Sequence, residues 1–176
     1  MKAAPEDQAL LLELQSLDTR LQQLARRADT LPEASAVAEL TDRRSGLHLT
    51  VREQTGAWED ARAELRRTES DVAVVEARIA RDRERLQASS SQKDIRALEQ
   101  ELEALVRRRA DLEDIELGVM QLVEDREGEL AATREELATV DAALADAEAA
   151  RDRALGALAE DRRKAEEDRA ATAARI

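Results

Sequence analysis

The chain has 176 residues, 39% of them charged, and a formal net charge of −12; Trp58 is its single aromatic residue and it has no Cys. Sandwiches, doubly wound α/β domains and barrels need aromatic bulk in their cores and Gly and Pro in their turns, so this composition argues against them. A disulfide framework is excluded. The bias towards Ala, Leu, Arg and Glu favours long helices or a coiled coil.

The first predicted helix covers residues 6–30 and carries apolar residues at alternating steps of three and four. Its stripe consists of Leu10, Leu14, Leu17, Leu21, Leu24, Ala28 and Leu31. Continued in phase, the stripe would reach Ala38, whereas the next stripe starts at Val37. We therefore predict a break near Pro32, which cannot continue a regular helix. Thr30 and Glu33 have the spacing of a capping box that would start the next helix.

Two longer helices are predicted over residues 33–87 and 92–175, because the heptad spacing continues through both. The stripe of the second helix consists of Val37, Leu40, Arg44, Leu47, Val51, Gln54, Trp58, Ala61, Leu65, Thr68, Val72, Val75, Ile79, Asp82 and Leu86. The third stripe starts at Ile95 and keeps its register to Ala165. These stripes form the predicted seam. Its polar members Arg109, Glu116, Arg126 and Arg151 either fix the register or point their charged ends into water.

A serine cluster lies at the predicted tip turn, residues 88–91, and Ser91 and Asp94 have the spacing of a helix start. Because this turn divides the chain into nearly equal arms, we predict that the arms pair with each other. The predicted fold is all-α, a long antiparallel coiled-coil hairpin that forms one domain over residues 1–176. Its first arm is broken near Pro32, and its length is roughly 120 Å. The serine turn and the phase slip argue against a parallel homodimer of one long helix.

The segment 112–123 has more apolar residues than one seam uses. A wide apolar stripe indicates a partner or dimer surface, and the alternative is local packing around the single Trp. The candidate partner surface consists of Trp58, Ile115, Leu117, Met120 and Leu122. We expect Gly56 and Gly118 to make room for the indole ring or to let another helix approach.

Charge is distributed unevenly along the chain. Residues 113–148 carry 12 acids and 2 bases, which repels a polyanion such as DNA. The hairpin tip is basic instead, with Arg81, Arg83, Arg85, Lys93 and Arg96. This tip is a candidate contact for RNA or for an acidic protein surface. The alternative is that its cations only complement a helix dipole.

No catalytic, cofactor or metal site is predicted, and we expect that the protein is not an enzyme. Its one histidine, His48, is expected on a helix surface, and a nucleophilic or zinc site would need further Cys or His. The acid pairs Asp141/Asp146 and Glu135/Glu136 are expected to be solvated. Since no apolar run approaches the roughly 18 residues of a membrane span, and no signal-type core is seen at the N-terminus, we expect a cytoplasmic protein with no membrane contact.

Two segments carry a family resemblance. Residues 11–33, and residues 89–114 with their Ser91-Gln92-Lys93-Asp94 and Leu112-Glu113-Asp114 elements, resemble a bacterial family of coiled-coil hairpin proteins. Members of that family carry a C-terminal four-cysteine zinc ribbon. The resemblance implies an adaptor, and in some bacteria it implies links to flagellar or type III secretion assembly, to an alternative sigma factor and to RNA. The chain up to Ile176 has no cysteine, so zinc is expected only if a ribbon follows.

The sequence therefore predicts a non-enzymatic scaffold or adaptor that binds a protein partner or forms a homodimer. An arm that binds RNA through the basic tip is the alternative. A structural spacer without a specific partner is a third interpretation.

Overall fold

The computed structural model describes residues 5–175 and contains three helices over that range: α1 (Pro5–Asp29), α2 (Pro32–Ala88) and α3 (Gln92–Ala173). The all-α fold predicted from the heptads is confirmed, including the break of the first arm between α1 and α2. The observed helix ends lie within two residues of the predicted ones.

The chain divides into two compact units. The first unit comprises Met1–Gly46 and Leu137–Ile176, and it contains α1, the start of α2 and the end of α3. The second unit comprises Leu47–Glu136 and is a hairpin, in which the rest of α2 and the first part of α3 are joined by the tip turn. The prediction of one domain over residues 1–176 stays a prediction.

The seam of the second unit is formed by the predicted heptad residues. Its buried members are Ala61, Thr68, Ile79, Asp82, Leu112 and Leu130. The remaining seam positions of this unit are half-buried. The two helices are antiparallel, and the Arg78 Nη2 atom lies 2.5 Å from Glu101 Oε1 on the facing helix. Burying each apolar stripe against the other helix stabilises the hairpin at roughly 25 cal/mol per Å².

The first unit has a seam of the same kind. Its buried apolar members are Leu24, Val140, Leu144 and Ala165. Arg44 and Asp161 are the exceptions, since both occupy seam positions and are exposed. Arg44 Nε lies 2.6 Å from Asp141 Oδ1, so its stem leads the charged end out of the seam.

Two seam arginines of α3 pair with acids of their own helix. Arg109 pairs with Glu113 at 3.2 Å and Arg126 with Glu129 at 2.8 Å. An ion pair within one helix is unaffected by a shift of the other helix. These two ion pairs therefore do not fix the register of the helices, although the Arg109 Nε atom stays buried without a hydrogen-bond partner among residues 5–175.

The two helix starts differ in their chemistry. At the tip the Asp94 N–H donates to Ser91 Oγ at 3.4 Å, so the predicted serine cap is confirmed. The predicted capping box at Thr30 is wrong, because the Thr30 N–H and hydroxyl both donate to the Arg26 carbonyl, at 3.0 and 2.9 Å. Thr30 thus closes α1. Helix α2 starts with Pro32 in its first position, where the missing N–H costs no helical hydrogen bond.

Candidate functional site

The large exposed apolar residues of the second unit, except Leu49, lie beside its seam. Residues one position before a seam residue lie on one side of the helix pair, and residues one position after lie on the other side. In an antiparallel pair, residues that precede seam residues on one helix lie next to residues that precede seam residues on the other helix. Residues that follow seam residues meet in the same way on the opposite side. Arg78 and Glu101 each precede a seam residue, and their ion pair shows which positions face each other.

We call one side the acidic flank. It consists of the residues that precede seam residues within 53–74 of α2 and 108–129 of α3. Its members are Glu53, Ala57, Asp60, Glu64, Arg67, Asp71, Val74, Arg108, Asp111, Ile115, Gly118, Leu122, Asp125 and Glu129. All of them are exposed, and they include seven acids and two bases. Ile115 and Leu122 are one heptad apart and therefore share a direction.

We call the opposite side the mixed flank, formed by the residues that follow seam residues. Its members within 52–73 of α2 and 110–127 of α3 are Arg52, Thr55, Glu59, Arg62, Arg66, Glu69, Ala73, Ala110, Glu113, Leu117, Met120, Glu124 and Glu127. It carries three bases and five acids, and all three bases lie on α2. The acids of the mixed flank therefore outnumber its bases by two, whereas those of the acidic flank outnumber its bases by five.

The five residues of the candidate partner surface are divided among the acidic flank, the mixed flank and the seam. Ile115 and Leu122, exposed by 49% and 42%, lie on the acidic flank. Leu117 and Met120, exposed by 64% and 42%, lie on the mixed flank. Trp58 is half-buried in the seam itself. The five residues predicted as one surface thus form two separate apolar pairs and one seam residue.

On the side of the mixed flank, the side chain of Arg62 covers the indole ring of Trp58. The Arg62 guanidinium carbon lies 4.8 Å from the centre of the indole ring, which is within the range of a cation–π interaction. The indole N–H is buried and has no hydrogen-bond partner among residues 5–175. A Cβ atom added at Gly56 or Gly118 would meet nothing within 4 Å. The prediction that these glycines make room for the ring is therefore wrong.

Val74 was missed by the sequence analysis. It is 63% exposed on α2 and precedes the seam residue Val75, so it lies on the same side as Ile115 and Leu122. Its position before a seam residue was the signal that could have revealed it.

The basic residues predicted at the tip are all exposed. Arg85 Nη1 lies 3.1 Å from the buried Asp82 carboxylate, and the Arg81 Nε–H donates to the Ala77 carbonyl at 3.3 Å. Within residues 5–175, no ion pair engages the other three, which are Arg83, Lys93 and Arg96. Only part of the predicted basic tip is therefore available to a ligand.

Titratable groups elsewhere are engaged in surface ion pairs. A hydrogen bond from Arg163 lowers the pKa of Glu160, and a hydrogen bond to Asp18 raises the pKa of Arg169. His48 is exposed. In the described part of the chain, no group of three or more His, Cys, Asp or Glu side chains could hold a metal ion. None of the helices over residues 5–175 combines the length and apolarity that a membrane span requires.

A family model described as the CT398-like coiled coil hairpin domain matches residues 14–176. The chain belongs to this family. Two uncharacterized proteins, from the CDC 1551 and H37Rv strains of Mycobacterium tuberculosis, are each 33% identical to it over 159 residues. The match covers 90% of the chain, which spans 65% of the length of these relatives.

Two solved structures resemble the hairpin protein. One, from Mycobacterium smegmatis, has a TM-score of 0.84 at 31% identity, over 100% of this chain and 73% of its own. The other, CT398 from Chlamydia trachomatis, has a TM-score of 0.70 at 18% identity, over 96% of this chain and 70% of its own, and supports the fold. The resemblance to a coiled-coil hairpin family is thus confirmed. The zinc ribbon that the resemblance implied stays a prediction.

Proposed function

We propose that this coiled-coil hairpin is a non-enzymatic scaffold or adaptor that binds a protein partner through apolar side chains beside the seam of its second unit. The observation that supports the proposal is the exposure of four large apolar residues within 115–122 of α3. Single exposed apolar residues are ordinary, but two exposed apolar pairs within about two turns of one helix, one on each flank, are typical of an interaction region.

Site-specific photo-crosslinking in cells that make the protein tests this proposal. A photoreactive amino acid at Leu122 or Leu117 is expected to give an adduct of defined mass. The control position is Ala77, which is exposed and lies two residues from each of the seam residues Val75 and Ile79, on the side of α2 that faces away from the seam. Absence of an adduct at both leucines, or equal adducts at Ala77, would contradict an adaptor role for this surface and would favour the structural spacer.

A homodimer is the second form that such a surface can take. Sedimentation of the full chain over a range of concentrations distinguishes it from a partner of another kind. If the crosslinked adduct has twice the mass of the chain and Ile115→Asp shifts the sedimenting species to a monomer, the surface serves self-association.

The RNA-binding arm is kept as a second candidate function because Arg83, Lys93 and Arg96 are exposed and make no ion pair among the described residues. Filter binding of RNA at two salt concentrations tests it. Binding that weakens with salt, and that is lost in the Arg83→Glu plus Lys93→Glu variant, would support this role. No binding at low salt would end it.

A further inference from the structure

We propose that the acidic flank binds a basic amphipathic helix of a partner protein. This inference rests on the proposed adaptor function and adds the chemistry of the partner and the side of the hairpin that it occupies.

Unpaired carboxylates are the first observation that supports the proposal. Among residues 5–175, no ion pair engages Glu53, Asp60 or Asp111 of the acidic flank. Glu64 pairs with Arg67 at 2.9 Å and Glu129 with Arg126 at 2.8 Å, so those two acids are partly neutralised. The remaining excess of negative charge comes from both helices. A ligand that lies between them would therefore meet carboxylates on either side, which favours Lys and Arg on its surface.

The apolar residues of this side form a line along the helix pair. Since Arg78 faces Glu101, Val74 is level with Leu105 of α3. Ile115 and Leu122 follow about 15 Å and about 25 Å further along, at 1.5 Å per residue. A partner helix of about 17 residues spans this distance. Helices that dock in this way carry apolar anchors on one face, at spacings of three, four and seven residues.

Gly118 lies between the two apolar anchors of α3. A Cβ atom at this position would meet nothing within 4 Å, so the glycine leaves an open gap in the surface between Ile115 and Leu122. Glycine in a helix interior destabilises the helix relative to alanine. An open glycine in the middle of an apolar line is consistent with close approach of another backbone.

A second copy of this chain fits the acidic flank poorly. A symmetric dimer places the same patch of one protomer against that of the other. The acids of the flank would then face identical acids, and like charges in an interface oppose association. Charge complementarity therefore favours a basic partner over self-association.

The test uses the full chain and two synthetic 17-residue peptides. Both carry Leu in a heptad stripe; one has Lys and the other Glu at the remaining positions. Fluorescence anisotropy of the labelled Lys peptide is expected to report binding, and the Glu peptide is expected not to bind. The Ile115→Asp plus Leu122→Asp variant is expected to weaken Lys-peptide binding by about tenfold or more, because two apolar anchors are lost.

The matched control is Leu117→Asp plus Met120→Asp on the mixed flank. It adds the same two negative charges and is expected to change binding by less than about twofold. Purely electrostatic attraction would instead strengthen binding in both variants, since each becomes more acidic. That result would overturn the proposal. Circular dichroism of each variant shows whether the helices persist, as expected for substitutions at exposed positions.

A second pair of variants isolates the charge of the acidic flank. Asp60→Asn plus Asp111→Asn is expected to weaken Lys-peptide binding, whereas Glu124→Gln plus Glu127→Gln on the mixed flank is expected to have little effect. Equal effects would contradict a specific role for the acidic flank. If both peptides bind equally well while crosslinking at Leu122 succeeds, the basic chemistry of the partner is wrong and the adaptor function stands. If crosslinking fails at both leucines, the adaptor function itself fails.

Discussion

The two flanks of the second unit share one seam but differ in charge. Each flank carries two exposed apolar residues from the same stretch of α3, Ile115 and Leu122 on one and Leu117 and Met120 on the other. The acidic flank has seven acids and two bases, whereas the mixed flank has five acids and three bases. The heptad fixes which residues are buried and leaves the positions beside the seam free to differ. The functional information of this hairpin therefore lies in the flanks.

The contrast between the flanks lies in net charge, because ion pairing does not separate them. On the mixed flank, Glu113 pairs with the seam residue Arg109, and among residues 5–175 no ion pair engages Glu59, Glu124 or Glu127. On the acidic flank, Glu64 and Glu129 are paired, whereas Glu53, Asp60 and Asp111 are unpaired within the same range. The larger excess of acids on the acidic flank therefore gives it more to gain from a basic partner.

The largest expected effect is the difference in stability between a substitution in the seam and one on a flank. Ile79 is 3% exposed in the seam, so Ile79→Ala is expected to lower the free energy of unfolding by about 2–5 kcal/mol. Ile115→Ala, at an exposed position of the acidic flank, is expected to cost less than about 1 kcal/mol. Urea unfolding followed by circular dichroism measures both. Similar losses would show that Ile115 belongs to the folded core and that the acidic flank is not an open surface.

Most of the seam could be predicted from the sequence because burial in a coiled coil depends on position in the heptad. The stripes from Leu10 to Leu31 and from Ile95 to Ala165 hold, with Asp161 as the exposed exception in the latter. The serine cap at Ser91 was also predicted, since its residue spacing has a direct geometric meaning. Thr30 could not be assigned in the same way, because a threonine hydroxyl can either start the following helix or donate back to the preceding turn.

The candidate site was less predictable than the seam. Composition drew attention to residues 112–123, but only the angular position of each residue separates Ile115 from Leu117. The contact between Arg62 and Trp58 depends on the conformation of a long flexible side chain, which heptad spacing does not determine. The lack of ion pairs at Asp60 and Asp111 likewise depends on which basic side chains reach them.

Gly118→Ala is expected to change the stability of the chain and its peptide binding in opposite directions. The new Cβ meets nothing within 4 Å, so the variant is expected to raise the free energy of unfolding by about 0.5–1 kcal/mol. Lys-peptide binding is expected to weaken at the same time, because the added methyl group fills the gap between the apolar anchors. Gly128→Ala, equally open, is the control: it should stabilise the helix and leave binding unchanged. If Gly118→Ala binds as tightly as the parent chain, close approach at Gly118 is wrong.

Arg62→Ala tests whether Arg62 shields the indole ring of Trp58 from water on the mixed flank. Removing the guanidinium from the face of the ring is expected to cost about 0.5–1 kcal/mol of stability. The fluorescence emission of Trp58, the single Trp of the chain, is expected to shift to longer wavelength because water gains access to the indole. Arg66→Ala removes a neighbouring charge of the same flank and should leave the emission unchanged. An identical shift in both variants would attribute the effect to net charge instead of contact with the ring.

The smallest expected effect concerns the pair that defines which positions face each other. Arg78 and Glu101 are joined at 2.5 Å but remain about half exposed, so solvent screens their attraction. A double-mutant cycle with Arg78→Ala and Glu101→Ala is expected to give a coupling energy of about 0.2–1 kcal/mol, which decreases as salt is added. Arg83→Ala with Glu101→Ala provides the comparison, since Arg83 follows a seam residue and belongs to the opposite side. Coupling of equal size in both cycles would mean that the two sides of the hairpin are not distinct in solution, and the contrast between an acidic and a mixed flank would lose its structural basis.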